Sequence, residues 1–357
     1  MVGNLEKIIK HFPDNVDAAL VTDSSNRYYL LGFDTSDAGT LVVTRNKSYF
    51  IIDSRYIELA QRYENEYLEV VLQKDLFSQI KDICIGENVK SLGVETQTIS
   101  VSRFYKLNEM LGNIIDTDVD INSIIMELRA IKTDAEIEKI KQAQNITDSA
   151  FGYILGRIGE GKSEKELALD LEFYMRSNGA RAAAFEIVFV GGKNSSLPHG
   201  VPTDYRLKKG DFITIDFGTD VDGYKSDMTR TVALGCVSDE QKKVYDTVLL
   251  AQETALEQIK AGKCCSEIDR LSRDIIAKAG YGEYFGHALG HSVGLDIHEA
   301  PSLSPKCRTV LKQGMIMTVE PGIYLPEKFG VRIEDMVLIT ESGIENLTKS
   351  KKSLIII

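Results

Sequence analysis

The chain is 357 residues long, with 43% hydrophobic and 27% charged residues, an ordinary composition for a globular protein of two or three domains. Its 42 basic and 53 acidic residues give a formal net charge of −11, which disfavours binding to nucleic acid or to an anionic membrane surface. No apolar run reaches the roughly 18 residues of a membrane span, and charged residues interrupt the N-terminal stretch where a signal peptide would be apolar, so we expect a cytoplasmic protein.

The first third of the chain alternates between strand and helix patterns. Short apolar runs predict strands at 18–22, 39–44, 48–52, 70–72 and 91–94. Polar, helix-forming stretches predict helices at 55–67 and 100–111, the second capped by Ser100 or Ser102. This alternation predicts an α/β domain over residues 1–123, followed by a second domain over 124–357.

The second domain begins with a strongly helical stretch from 124 to 157. Thr133 and Glu136 have the spacing of a capping box, in which the two side chains bind backbone N–H groups that the first helical turn leaves unpaired. Ser163 and Glu166 repeat this spacing before a helix that continues to Arg176. Strands and glycine turns dominate after residue 185, with two further helices predicted at 239–260 and 265–279.

A hairpin with two acids on its strands is the first candidate site. Two alternating runs flank a turn predicted at 220–223, and this centre puts Asp216 directly opposite Asp227, on the same face as Thr214 and Thr229. Opposed carboxylates repel by roughly 4 kcal/mol at ~4 Å and an effective dielectric near 20, a cost that a cation or a shared proton removes. Two exposed acids on a solvated sheet face are the alternative interpretation of the hairpin alone.

Three histidines form the second candidate site. His287, His291 and His298 lie within twelve residues and alternate with glycines, in a chain that has only five histidines. The glycines disfavour a regular helix and predict a tight backbone that places the imidazoles around a cavity. A single histidine is more often structural, but three this close together favour a functional site.

Two further acids interrupt apolar strands. Glu320 ends one strand before a Pro-Gly turn, and Glu334 lies within another. A carboxylate in such a strand is costly unless it is paired or bound to metal. Taken singly, each of the two acids could instead pair with Arg332 or face the solvent. Four carboxylates with imidazole nitrogen suit Mn²⁺, Fe²⁺ or Co²⁺ and sometimes Zn²⁺, and two such ions can activate water for hydrolysis.

The five cysteines, an odd number without a CxxC spacing, predict free thiols rather than a zinc–thiolate site.

In this order and combination, the motifs resemble those of the Xaa-Pro peptidases, the prolidases and aminopeptidases P of the pita-bread metallopeptidase clan. The resemblance covers essentially the whole chain and includes the stretch 128–137 that opens the second domain. It implies an α/β (α+β) fold, with a creatinase-like N-terminal α/β domain and a C-terminal pita-bread catalytic domain. The metal ligands that it implies are Asp216, Asp227, His291, Glu320 and Glu334, with Asp227 and Glu334 bridging two divalent ions.

The same resemblance implies roles for the residues around those ligands. Glu320 corresponds to the general base, His199 to a substrate-binding histidine and His298 to one that steadies the scissile carbonyl. His287 would line the pocket for the proline side, and Arg332 would orient the carboxylates and contribute to substrate binding. The implied activity is hydrolysis of Xaa-Pro bonds at the N-terminus of dipeptides or short peptides. Two ions per subunit, with Mn²⁺ favoured over Co²⁺ or Zn²⁺, and a homodimer complete the expectation.

Several alternatives stay open at this point. A methionine aminopeptidase shares the fold and ligand order, but the N-terminal domain and the motifs 319–322 and 332–335 disfavour it. A creatinase lacks a full ligand set. A non-catalytic binding protein on this scaffold typically loses ligands or gains long basic tails. The sequence does not distinguish a dipeptidase from an aminopeptidase P. A dipeptidase needs a cation for the substrate's C-terminal carboxylate, and the sequence does not identify one.

Overall fold

The computed structural model describes residues 2–357, without the side chains of residues 2 and 3. Its contacts divide the chain into two compact units, one ending at Arg129 and the other spanning Ala130–Ile357. The domain division predicted at 123/124 falls inside one helix, Ile121–Ala130. Hydrogen bonds between successive turns hold this helix together as one element. The boundary between the two units therefore falls near the end of the helix.

The first unit is a six-stranded mixed sheet with helices around it. Its elements in chain order are α1 (Val2–Lys10), β1 (Ala18–Val21), α2 (Ser24–Leu31), β2 (Thr40–Thr44), β3 (Ser48–Ile52), α3 (Ile57–Gln61), β4 (Leu68–Leu72), α4 (Leu76–Gly86), β5 (Leu92–Val94), α5 (Val101–Leu111), β6 (Ile115–Asp120) and α6 (Ile121–Ala130). The strand order is β4-β3-β2-β1-β5-β6, with parallel pairs at β3/β4, β1/β5 and β5/β6. Helices α4 and α5 bury apolar side chains against this sheet.

Helix limits in the first unit depend on caps and on strand pairing. The Ser100 hydroxyl accepts the backbone N–H of Arg103, as predicted for the start of α5. The helix predicted at 55–67 is limited to Ile57–Gln61, because Asn65 pairs with Leu68 across a tight turn that leads into β4. Helices α1, α2 and α4 are absent from the sequence prediction, although Asp23 and Asp75 cap the last two.

The second unit contains four further helices and thirteen strands among the described residues. In chain order they are α7 (Asp134–Leu155), α8 (Glu164–Ser177), β7 (Ala182–Ala183), β8 (Val188–Gly191), β9 (Phe212–Phe217), β10 (Thr219–Val221), β11 (Tyr224–Lys225), β12 (Met228–Ala233), α9 (Asp239–Gln258), α10 (Cys265–Lys278), β13 (Gly290–Ser292), β14 (Glu299–Leu303), β15 (Ile316–Val319), β16 (Gly322–Leu325), β17 (Phe329–Arg332), β18 (Asp335–Ile339) and β19 (Ile344–Asn346). Both predicted capping boxes are present, at the starts of α7 and α8.

Two pairs of helices each cover one face of the strands in this unit. Helices α7 and α8 share a core with β8, β9 and β12, whereas α9 and α10 share one with β15, β17 and β18. Because side chains alternate along a strand, Ile213 and Ile215 of β9 enter the first core while Asp216 faces away from it. Met317 and Val319 of β15 similarly enter the second core. The helix-free faces are therefore the ones that can build a polar site.

The hairpin register differs from the sequence prediction by two residues. Asp216 pairs with Thr229 across β9 and β12, and not with Asp227. The turn is centred on Asp222 and Gly223, whose φ values are 48° and 81°. These two residues lie between Val221 and Tyr224, which pair with each other. A two-residue turn with positive φ at both positions matches the right-handed twist of the strands, and this selects the observed register.

Among residues 2–357, no helix combines the length and the apolar character that crossing a bilayer requires.

Candidate metal centre and active site

The predicted site residues converge on one cavity of about 870 Å³ in the second unit. Asp216 lies on β9, Asp227 precedes β12, and His291 lies on β13. Glu320 follows β15, and Glu334 separates β17 from β18. All nine predicted residues line the cavity: His199, Asp216, Asp227, His287, His291, His298, Glu320, Arg332 and Glu334.

His291 lies at the centre of the acidic cluster. One ligand atom from each of Asp227, His291 and Glu334 lies within 4.8 Å of the other two. His291 Nε2 is 3.6 Å from Asp227 Oδ2 and 3.3 Å from Glu320 Oε1. Its Nδ1 lies 3.1 Å from the Ser292 carbonyl oxygen, which can only accept, so Nδ1 donates and Nε2 faces the carboxylates.

Two carboxylate oxygens at this site are buried without a protein partner. Asp216 Oδ2 accepts from Arg332 Nη2, and Glu334 Oε2 accepts from the Thr229 hydroxyl at 2.7 Å. The second oxygens, Asp216 Oδ1 and Glu334 Oε1, have no hydrogen-bond partner within the described part of the chain. Nearly all buried polar atoms in proteins are paired, so these two oxygens are suited to bind a cation.

The charge balance points the same way. Burial, followed by the charges of neighbouring acids, raises the pKa of Asp227 and of Glu334 well above the usual range. Burial also raises the pKa of Asp216, with Arg332 opposing. Burial is the largest single influence on the pKa of Glu320 and raises it, but the hydrogen bond and charge of His291 and the charges of His287 and Arg332 together lower it. The protein thus supplies too little positive charge for its own carboxylates, and hard divalent cations suit such oxygen donors.

Two threonine hydroxyls and one tyrosine, to which the sequence analysis gave no function, orient this cluster. Thr318 Oγ1 accepts the His291 backbone N–H at 3.0 Å and donates to Glu320 Oε1 at 3.2 Å. Arg332 Nη1 donates to Tyr324 Oη at 2.7 Å. The sequence indicated these residues only through their closeness to predicted metal ligands. Thr229 follows Asp227 by two residues, and Tyr324 follows Glu320 by four.

The three remaining histidines lie around the carboxylates. The rings of His291 and His298 are 4.4 Å apart between centroids. His287 Nε2 lies 3.1 Å from Tyr324 Oη. Burial is the main cause that lowers the pKa of both His287 and His298. These two imidazoles are therefore neutral near pH 7, each with one N–H. That of His287 is on Nδ1 and donates to the Ala288 carbonyl at 2.8 Å. His199, in contrast, is exposed and lines the same cavity.

Several residues that line the cavity are apolar, a feature that the sequence analysis did not predict. They include Phe185, Ile187, Val188, Val201 and Ile297. These residues come from β8, from the residues just before it and from two separate loops. No local pattern in the sequence therefore groups them. The cavity lining therefore combines charged and apolar side chains, as in many small-molecule sites.

Two family models match the chain. Residues 5–131 match the creatinase/prolidase N-terminal domain, and residues 138–341 match metallopeptidase family M24. This order confirms the predicted fold class, with a creatinase-like domain preceding the pita-bread metallopeptidase domain.

Relatives match over the full length of the chain. An Xaa-Pro dipeptidase of Pyrococcus furiosus is 40% identical over 356 residues, which cover 99% of this chain and 100% of that protein. The structure of an Xaa-Pro dipeptidase from Bacillus anthracis has a TM-score of 0.94 at 41% identity and covers 99% of each chain. The structure of an X-Pro aminopeptidase from Thermotoga maritima has a TM-score of 0.88 at 36% identity, covering 96% of this chain and 98% of that one.

Proposed function

The chain belongs to metallopeptidase family M24, and from this premise we propose that it is an exopeptidase that hydrolyses the Xaa-Pro bond of dipeptides. The observation that carries the proposal is the convergence of four carboxylates and His291 on one buried cavity. The full-length similarity to Xaa-Pro dipeptidases supports the substrate class.

Membership of a metallopeptidase family implies divalent metal ions, and two per subunit is our proposal. Asp227 and Glu334 would bridge them, Asp216 would hold one, and His291 with Glu320 would hold the other. The unpartnered oxygens of Asp216 and Glu334 support this assignment. Mn²⁺ is the favoured ion, with Co²⁺ and Zn²⁺ as alternatives. Bound ions of this kind supply Lewis acidity, which polarises a carbonyl and lowers the pKa of water.

The protein's own groups handle the protons and the developing charge. Burial raises the pKa of Glu320, but the interactions with His291 and the charges of His287 and Arg332 together lower it below its ordinary value, so Glu320 is ionised near pH 7. It can therefore take a proton from water and return it to the departing proline nitrogen. The neutral His298 can donate to the scissile carbonyl oxygen as negative charge develops there.

Recognition of proline must depend on shape. An Xaa-Pro bond has no N–H, so the enzyme cannot bind it through the hydrogen bond that an ordinary peptide offers. The apolar residues that line the cavity offer contacts for such a ring, and His287 and Arg332 line the same cavity. His199 at the cavity edge would contact the bound substrate.

An aminopeptidase P activity on longer peptides is the second candidate. It is favoured by the similarity to the X-Pro aminopeptidase of Thermotoga maritima. The homodimer and the cytoplasmic location stay predictions from the sequence, and size-exclusion chromatography with light scattering tests the first.

The deciding experiment compares Ala-Pro, Ala-Pro-Ala and Met-Ala-Ser as substrates after loading with Mn²⁺ or Co²⁺. We expect hydrolysis of Ala-Pro and its loss after chelation. Cleavage of Ala-Pro-Ala in preference to Ala-Pro would assign an aminopeptidase P, and cleavage of Met-Ala-Ser would assign a methionine aminopeptidase. A protein that takes up metal but cleaves none of the three would be a binding member of the fold, contrary to the proposal.

A further inference from the structure

A buried carboxylate outside the cavity accepts four hydrogen bonds from one loop. Glu164, the first residue of α8, is 0% exposed. Its Oε1 accepts from the Gly191 N–H at 2.8 Å and from Asn194 Nδ2 at 3.0 Å. Its Oε2 accepts from the Thr203 N–H at 2.8 Å and from the Thr203 hydroxyl at 2.6 Å. One side chain therefore joins the two ends of the segment 191–203.

These four donors take the place of a cation. Within residues 2–357, no lysine or arginine forms an ion pair with Glu164. The backbone N–H of Glu164 donates to the Tyr205 carbonyl and is not one of the four donors. A buried carboxylate is tolerated only when hydrogen bonds or a cation replace its water. Each oxygen faces one backbone N–H, from Gly191 or from Thr203, and such a group can only donate.

The joined segment forms one edge of the active-site cavity. Pro198, His199 and Val201, near its middle, all line that cavity. The Pro198 carbonyl accepts from Arg332 Nη1 at 3.1 Å, which links the segment to the residue that pairs with Asp216. The His199 ring itself is exposed, so the position of the ring depends on the backbone that holds it.

We propose that Glu164 is a positioning residue, which fixes both ends of the 191–203 loop so that His199 is held at the cavity edge. It touches neither substrate nor metal ligands and acts only through this loop. The proposal rests on the proposed function in one respect, namely that His199 contacts the substrate.

The test uses Glu164→Gln, which keeps the side-chain shape but turns one acceptor into an NH₂ group that faces other donors. Hydrogen bonds to a charged acceptor are strong, so we expect kcat/KM for Ala-Pro to fall by about tenfold or more, mainly through KM. Glu166→Gln is the matched control, two residues along the same helix. Its glutamine can still accept the Ser163 N–H of the capping box, so we expect less than about a twofold change.

A double-mutant cycle with His199→Ala separates positioning from general damage. If Glu164 acts through His199, Glu164→Gln should cost less than about twofold once His199 is already alanine. An equal loss in both backgrounds would overturn the proposal. Bound metal, measured by mass spectrometry, should be unchanged by Glu164→Gln; loss of metal would also contradict it.

Hydrogen exchange supplies a readout that does not depend on activity. In Glu164→Gln the amides of residues 192–203 should exchange about tenfold faster, while those of α9 stay unchanged. If Glu164→Gln does not fold, Thr203→Val removes one donor and should give a smaller increase in the same segment. Unchanged exchange would refute the proposal. A wild-type protein inactive on Ala-Pro would refute the proposed function alone, because exchange would still test Glu164.

Discussion

Four carboxylates, one imidazole and one guanidinium share the floor of the cavity, and their contacts are unequal. Asp216 is paired with Arg332, whereas Asp227 faces His291 and the charge of Glu334. A metal ligand that already has a cationic partner depends less on the ion than one that has none. The two aspartates should therefore respond differently to the same substitution.

The first prediction compares Asp227→Asn with Asp216→Asn. We expect Asp227→Asn to lose more metal and more activity, because a bridging carboxylate would serve both ions. Substitutions beyond the metal ligands typically cost about 10- to 100-fold in affinity or activity, so a bridge should cost at least 100-fold. Metal content and kcat/KM are measured on both variants. Comparable losses would contradict the bridging assignment, and the paired Asp216 serves as the internal control.

The second prediction concerns His298, whose ring is close to His291 but is assigned to the substrate. His298→Ala should lower kcat by about 100-fold, the usual cost of removing one donor that stabilises developing charge. Bound metal should remain near normal. If the substitution instead removes metal from the protein, His298 is a ligand and its assignment to the scissile carbonyl is wrong.

At the level of elements, a buried ion pair supports the segment between β13 and β14. Lys132 Nζ donates to Ser292 Oγ at 3.0 Å and to Glu299 Oε2 at 3.1 Å, and both charged side chains are 1% exposed. Ser292 follows His291, and Glu299 follows His298. One ammonium group thus connects the residue after His291 with the residue after His298.

The third prediction is that Lys132→Met destabilises the protein. Breaking a buried pair leaves an uncompensated charge, which costs about 3–5 kcal/mol. Urea unfolding of the full chain measures this, with the exposed Lys312→Met as the control for which we expect no measurable change. Adding Glu299→Gln to Lys132→Met should recover part of the loss, since it removes the stranded charge. No recovery would mean that the packing of Lys132, and not its charge, stabilises the segment.

At the level of the whole molecule, metal-free stability depends on acids that are unfavourably placed. The pKa values of Asp227 and Glu334 are raised in the folded metal-free protein, first by burial and then by neighbouring acids. Their contribution to stability is fully present below their ordinary pKa of about 4 and is lost as pH rises through the raised values. Bound cations would remove this loss.

The fourth prediction follows from this loss of metal-free stability as pH rises. The rise in melting temperature on adding Mn²⁺ should be larger at about pH 8 than at about pH 5, because more of the repelling acids are ionised in the metal-free protein. Scanning calorimetry of loaded and metal-free samples at each pH measures it. Taking the difference at each pH cancels the titration of groups elsewhere in the chain. A metal-induced shift that does not change with pH would contradict the assignment of these acids as ligands.

The sequence by itself determined the features that depend on neighbours a few residues away. The capping boxes at Thr133/Glu136 and Ser163/Glu166 require only an i, i+3 spacing, and both are present. The donor types were also readable, because Asp216, His291 and Glu320 lie in short motifs whose order matches one family.

Only the tertiary structure decided which side chains meet. The hairpin register depended on two backbone φ values at Asp222 and Gly223, and it put Thr229 opposite Asp216 where the sequence predicted Asp227. Glu164 reaches Thr203 across 39 residues of chain, through a packed helix and a loop that no local pattern relates. Burial, mutual charge and unpartnered oxygens arise when separate strands converge, because each is a property of the assembled cavity and not of any one segment.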